Sequence, residues 1–297
     1  MNIDFKILFS NEPFNRKQVD SAFLEEFQMS QISGIKSYFF DHEELVDNDK
    51  FVTDIDPNDK CTLIYRGWML KPEQYAKLYH KILERTNGYV TLINSPAQYE
   101  NLHCFPMIYK DIKEYTPKIV LLNKFTFLDI QLVKQQLDFD FFIKDHVKSI
   151  KTDKGIERIS ENILPLHLYN KVEEFIEERG NLFTKGIVFK EFVDLKKTDG
   201  CTHECRAFFL YGQLIDLSFN STTELPISKR FLPPTEFVKH IGDILSKKGN
   251  FFTVDFGLLE KNRWMVLETG DGGVSGLSPT CSAVGFYSNI ILNMCGL

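Results

Sequence analysis

The stretch Phe251-Phe252-Thr253-Val254-Asp255-Phe256-Gly257, followed by Trp264-Met265-Val266-Leu267-Glu268-Thr269-Gly270-Asp271-Gly272, decides the reading of this chain. It predicts two adjacent apolar strands, each carrying one carboxylate near its end. Val254, Phe256 and Leu258 alternate against Asp255, and Met265 and Leu267 against Glu268. A lone acid inside an apolar strand is costly to strip of water and needs a partner. Two such acids on neighbouring strands can share one hard cation, and Mg2+ takes one or two carboxylates together with phosphate oxygens. The alternative is a pair of acids at strand ends, solvated or bonded to backbone amides.

Outward from that pair, strand and helix periods alternate. A strand is expected over 6–9, and a helix over 15–29 with Phe23, Leu24 and Phe27 on one side. Strands over 35–40 and 61–65 follow, the second closing on Arg66-Gly67-Trp68-Met69, a turn that sets a cation at a strand's C-terminal end. Pro72 suits the first turn of a helix to about 85, a short strand covers 90–93, and Ser95-Pro96 opens another helix. This first third reads as a small open α/β sheet, where ligands sit beyond strand C-termini. Residues 118–122 lead into a second region, with a long strand over 139–149, a helix over 165–179 and a strand over 186–194. The last third holds strands over 204–219, a helix over 234–248, the two acid-bearing strands and a closing helix from about Ser282. Residues 47–59 and 151–158 read as polar loops, and there is no internal repeat.

With 297 residues the chain can bury a large core and divide into two or three lobes. Its net charge of -6 argues against an extended nucleic-acid surface, though not against a local basic cleft. No apolar run approaches membrane-spanning length, and MNIDFKILFS lacks a signal-peptide pattern. The six cysteines are scattered through a chain too large to need stapling, so reduced thiols in a cytoplasmic protein are expected. The 27 phenylalanines serve a core or the face of an oligomer.

Further polar residues line up by strand parity. Glu204, Arg206 and Phe208 share one face of their strand. Arg206 is either half of a cross-strand ion pair or a fixed cation beside developing negative charge. On the strand at 141–148, Phe142, Lys144, His146 and Lys148 face one way, and two lysines on one face call for an anion or solvent over them. The loop 149–155 is polar, rich in cations and ends in Gly, a composition suited to folding over phosphates, although no GxxxxGK[ST] motif exists.

Taken together, these residues resemble the ATP-grasp superfamily of ATP-dependent carboxylate–amine ligases. In that family a strand lysine reaches the ATP phosphates, matching Lys144 in Phe-Phe-Ile-Lys-Asp. A strand entering the interlobe hinge cradles adenine, matching 187–193, with Lys190, Glu191, Phe192 and Val193, and Glu191 or Asp194 reaching base or ribose. An arginine strand follows, matching 204–209 with Glu204 and Arg206, and then an Asp strand and a Glu strand for Mg2+, matching Asp255 and Glu268. The match spans about 120–275. It implies an α+β fold of two lobes clasping ATP, with a small α/β pre-ATP-grasp domain at 1–120, an N-lobe at 121–190 and a C-lobe at 191–297 carrying the metal site. Members mostly carry Glu-x-Asn on the last strand, whereas this chain has Glu268-Thr269-Gly270, which leaves one or two metal ions open. Asp271 is then expected to supply the missing oxygen, with 271–275 facing substrate. A second phosphate lysine is Lys118 or Lys124.

The resemblance implies that a substrate carboxylate attacks the γ-phosphate of ATP, giving an acyl phosphate and ADP, and that an amine then displaces phosphate. Mg2+ on Asp255 and Glu268 would bridge phosphate oxygens, with Lys144 and Lys148 neutralising the rest. Arg206 would steady the tetrahedral oxyanion. Arg66 would offer a guanidinium fork to a carboxylate substrate, or else a structural ion pair. The acid and amine are small molecules or peptides. Three alternatives stand beside this reading. Lys197-Thr198-Asp199-Gly200 spells the KxDG of nucleotidyltransferases that form a lysyl-nucleotide, or a charged β-turn. Cys201, His203 and Cys205 lie close enough to suggest zinc, without a fourth ligand. A catalytically inactive ATP-binding protein would also keep this pattern. His146 is a general base or a hydrogen-bonded strand histidine.

Overall fold

The structure is a computed structural model and describes residues 4–150, 155–221 and 225–296. Three sheets organise it. The first begins at β1 (Phe5–Glu12), whose unbroken apolar core suits a strand covered on both faces. The chain turns at Pro13-Phe14 into β2 (Asn15–Val19), antiparallel to the end of β1, and α1 (Leu24–Ile32) follows. The helix expected over 15–29 therefore starts late. Asn15 and Val19 pair with Glu12 and Asn11, and helical turns begin only where the Asp20 carboxylate accepts from the Ala22 amide. After β3 (Ser37–Phe40) comes α2 (His42–Asn48), which reaches into the segment read as loop; Asp41 caps it by accepting from the Glu44 amide. Then follow β4 (Cys61–Arg66), α3 (Pro72–Arg85) and β5 (Val90–Leu92). Strands β3 and β4 flank β1 in parallel, and β5 pairs with β4.

Ser95 opens α4 (Pro96–His103) with a reciprocal cap: its hydroxyl accepts from the Gln98 amide, and its amide donates to the Gln98 side chain. Helix α5 (Phe105–Ile112) continues toward the second sheet, made of β6 (Ile119–Leu122), β7 (Phe141–Asp145) and β8 (Ile187–Glu191) in the order β6-β8-β7, all antiparallel. Helices α6 (Phe127–Lys134) and α7 (Pro165–Arg179) cover one face of it, packing on Phe141, Ile143, Ile187 and Phe189. Strand parity turns Phe142, Lys144, Val188 and Lys190 to the other face. The long strand expected over 139–149 stops at Asp145. That carboxylate accepts from the amides of Val147 and Lys148 at 2.7 Å each and folds the chain back.

The hairpin β9 (Lys197–Thr198) and β10 (Cys201–Thr202) precedes the third sheet. That sheet is β12-β11-β13-β14, from β11 (Glu204–Leu210), β12 (Gln213–Phe219), β13 (Phe251–Leu258) and β14 (Trp264–Asp271), antiparallel throughout. Tyr211 and Gly212, both at positive φ, turn β11 into β12. One face, with Ala207, Phe209, Phe252, Val254 and Val266, packs on α5 and on α8 (Thr235–Leu245). The last helix, α9 (Ala283–Gly296), returns to lie against α1 and β12. Asn94 stitches the first sheet to the third. Its amide nitrogen donates to the Phe251 carbonyl (2.7 Å) and to Asp271 (2.6 Å), and its oxygen accepts from the amides of Asn250 and Phe251. No helix among the described residues is long and apolar enough to cross a membrane, and all six cysteines are free.

Candidate active site

The face of the third sheet turned away from α5 and α8 carries a row of three charged side chains. Arg206 on β11 stands opposite Asp255 on β13, which stands opposite Glu268 on β14. The register shifts between Asp255 and Phe256, leaving Leu267 as an extra residue that bulges β14 at this point. The two acids are thus direct cross-strand neighbours, which is what their spacing from the strand ends requires. Arg206 grips Asp255 in a fork: Nε to Oδ1 and Nη2 to Oδ2, both 2.7 Å, while Nη1 donates to the Gly276 carbonyl at 2.9 Å.

The second sheet brings its polar face over this row. Lys144 Nζ lies 3.5 Å and Lys190 Nζ 3.9 Å from the same oxygen, Glu268 Oε2. Both ammonium groups are buried, and each also donates to a carbonyl, Lys144 to Asp145 and Lys190 to Leu267. The Phe105 ring lies 3.5 Å from Lys190 Nζ and 5.6 Å from Lys144 Nζ, so its negative face supports two cations that repel each other. Burial lowers the Lys190 ammonium to about 8; Glu268 works against that fall and Lys144 adds to it. Lys148, exposed beyond the Asp145 turn, stands within electrostatic reach of Glu268, Arg206 and Asp255.

The other oxygen, Glu268 Oε1, is buried and has no hydrogen-bond partner among the described residues. A buried carboxylate oxygen without a donor is what a cation ligand looks like when only protein is considered. No group of three His, Cys, Asp or Glu among the described residues could hold a metal ion by itself. Two carboxylates completed by phosphate oxygens and water are, however, the usual donor set for Mg2+. The residues fit that ion and do not form an all-protein cage.

Other expected site residues lie elsewhere. Asp271 is three positions beyond Glu268 on the same strand, so it faces the opposite way. Its carboxylate is buried against Asn94 and the Gly273 amide, and burial raises it to about 6. Arg66 offers no fork to a substrate. It is 1 % exposed and bound by both nitrogens of one edge to Glu26 (2.8 and 2.6 Å), with Nη1 on the carbonyls of Gly272 and Ser275. The Arg66 contacts hold the 272–275 segment in place, so the substrate-facing loop expected there is a clamped one. Lys118 is exposed and pairs with Asp138, and Lys124 is exposed too; the lysine beside Lys144 is Lys190. His146 lies past β7, and neither ring nitrogen has a partner among the described residues. Burial, with Lys144 and Lys185 nearby, lowers it to about 4, so the hydrogen-bonded strand histidine is not what forms.

At the hinge, Glu191 accepts from the Lys118 amide, the Phe192 amide donates to the Asp140 carbonyl, and Asp194 pairs with Arg158 at the surface. Val193 is half-buried between them, and Glu204 accepts from the Thr202 hydroxyl beside Arg206. Lys197 is exposed on β9, and Asp199 and Gly200, both at positive φ, make the charged turn. His203 Nε2 bonds the Thr198 hydroxyl, and no zinc cluster forms with Cys201 and Cys205 among the described residues. The phosphate loop expected around 151–154 lies outside the described residues.

The sequence matches a family model described as an ATP-grasp domain, the third family of its clade, over residues 129–290. No curated protein matches it. Among solved structures it is similar in fold to the D-cycloserine synthetase DcsG, at 12% identity and TM-score 0.58, covering 98% of this chain and 99% of that one. The macrocyclase MdnC bound with precursor peptide MdnA, from Microcystis aeruginosa, gives 12% and 0.57, covering 97% and 98%. D-alanyl-alanine synthetase A from Vibrio cholerae gives 11% and 0.55, covering 100% of each.

Proposed function

The chain belongs to the ATP-grasp family, and from that premise we propose that it is an ATP-dependent carboxylate–amine ligase. One observation carries the reading: Lys144 and Lys190 from one lobe converge on Glu268 of the other, directly beside Asp255. Buried cations of one lobe facing a carboxylate row on the other form a slot whose walls suit a triphosphate and its counter-ion. Lys144, Lys190 and Lys148 would hold the phosphate oxygens, and Asp255 with Glu268 Oε1 would hold Mg2+. When bound, that ion supplies charge neutralisation at the β- and γ-phosphates.

In the reaction, an oxygen of the substrate carboxylate attacks the γ-phosphorus in line and the bond to the β-phosphate oxygen breaks, releasing ADP and leaving an acyl phosphate. The protein's share is alignment and fixed positive charge, because the transferred group needs little covalent help. An amine then attacks the acyl carbon, loses a proton, and phosphate departs with its bridging oxygen. Arg206, held by Asp255, lines the slot and would steady the oxyanion of that step. Phe142 and Phe192, whose rings meet edge to face, offer an apolar wall for the base near Lys190. The acid and amine belong to small molecules or peptides; a macrocyclase and a D-alanyl-alanine synthetase share this fold. We place the protein in the cytoplasm, where its six free cysteines stay reduced.

The test is ADP release measured against pools of amino acids and short peptides, with the Asp255→Asn, Glu268→Gln double variant as the control. Substrate-dependent release that the double variant abolishes supports a ligase. Nucleotide binding without release from any pool would make the chain a binding protein, and covalent labelling at Lys197 would make it a nucleotidyltransferase.

A further inference from the structure

Beyond Glu268, the next side chain on the same face of β14 is that of Gly270, which is to say none. The space above it is filled. Thr253, its cross-strand partner on β13, and Ser275 from the clamped segment meet there, with their hydroxyl oxygens 2.8 Å apart. A Cβ built on Gly270 would stand 2.9 Å from Ser275 Oγ and 3.1 Å from Thr253 Oγ1. The Ser275 hydroxyl donates to the Asp271 carbonyl, so the Thr253 hydroxyl donates to Ser275 and both protons are used within the protein. Asp271, the nearest other acid along the strand, points away into its bonds with Asn94 and Gly273.

We infer that this chain takes its nucleotide with a single divalent cation, held by Asp255 and Glu268, and that the Thr253–Ser275 hydroxyl pair plugs the place from which a second cation would need its own ligand. The inference rests on the ATP reading above. Two carboxylates, one of them already forked by Arg206, leave oxygen donors for one octahedral ion completed by phosphate and water.

The experiment counts Mn2+ by electron paramagnetic resonance on the full chain saturated with a non-hydrolysable ATP analogue, whose own binding is read separately by calorimetry. A plateau of one Mn2+ per bound analogue is expected, and a plateau of two overturns the inference while leaving the ATP reading intact. Failure of the analogue to bind at all overturns both. In the Gly270→Asp, Ser275→Ala variant, which opens the space and adds a carboxylate, the plateau should rise from one to two. A folded variant that binds the analogue and stays at one would overturn the claim that the plug sets the number.

Discussion

Arg206 and Asp255 neutralise each other across two strands through a pair of 2.7 Å hydrogen bonds, so the metal-binding acid and the catalytic cation proposed here are one unit. The fork fixes the Asp255 carboxylate plane, and Asp255 stops the guanidinium from wandering. Asp255→Asn should therefore show two separable effects. Because each partner of the pair is about one-fifth exposed, stability in urea should fall by only about 1–2 kcal/mol. Cation-dependent ADP release should drop by roughly 100-fold or more. Equal losses of both would mean that the pair is structural alone.

Lys190 sets a pH limit. Its charge is lost as pH rises through about 8, so kcat/KM for ATP should fall on that alkaline side, and Lys190→Met should flatten the limb while weakening ATP roughly 10-fold or more. Stability moves the other way. The lysine's folded value lies below its ordinary 10.5, so the unfolded chain binds the extra proton between about 8 and 10.5, and stability from this group rises with pH across that window. A limb unchanged in the methionine variant would remove Lys190 from the phosphate slot.

Phe105 should matter out of proportion to its distance from the carboxylates. Phe105→Leu removes the ring face under Lys190 and Lys144, an interaction of about 1–2 kcal/mol when desolvated. The alkaline limb should move to lower pH, and Phe105→Tyr, which keeps the ring, should restore it. A limb indifferent to the ring would make Phe105 simple filling of the core.

Arg66 is expected to be structural. Replacing it by Met leaves the half-buried Glu26 carboxylate with only the Tyr287 hydroxyl and releases two loop carbonyls, at a cost of about 3 kcal/mol in denaturant titration. The folded fraction should bind the ATP analogue as the parent does. A substrate-binding role would instead appear as a raised KM at unchanged stability.

The buried Asp271 carboxyl, raised to about 6, gives an acid-side signature. The folded chain keeps its proton between about 3.8 and 6 while the unfolded chain does not, so stability falls as pH rises through that window. Relative to Asp271→Asn, the parent should lose on the order of 2 kcal/mol between those limits. A difference that stays flat with pH would mean that the carboxyl is already ionised in the fold.

Strand parity made much of this site readable in advance. Asp255, Lys144 and Arg206 each sit where a spacing of two fixes the face. The alternation expected of Met265 and Leu267 against Glu268 breaks, because Leu267 is an extra residue in β14 and Met265, opposite Gly257, shares the face of Glu268. Lys190 is legible as a strand residue, but not as the twin of Lys144, because nothing in the strand pattern tells that the second sheet lies over the third and brings Lys190 Nζ to Glu268. Asp271 is expected at the metal because Gly270 stands where the family carries Asn, but an odd spacing from Glu268 on a strand that runs to Asp271 turns that carboxylate to the opposite face. For Arg66 the sequence allows either a substrate fork or an ion pair, because its partner, Glu26, lies 40 positions away on α1 and nothing local encodes that meeting. The polar run 15–19 lacks an apolar face of its own, so the turn at Pro13-Phe14 and the pairing with β1 make it a strand.

Asn94 has a mechanical consequence. With its four hydrogen bonds tying the first sheet to the third, and α9 lying on α1, those two parts make one anvil. The piece built from β6, β7 and β8 is tied to that anvil by polar tethers such as Lys190 on Leu267 and the Phe105 amide on the His146 carbonyl. Any swing of that piece must be taken up in the stretches at 113–118 and 192–196, where the chain enters and leaves it, and stiffening either stretch should slow nucleotide exchange without touching a single ligand atom.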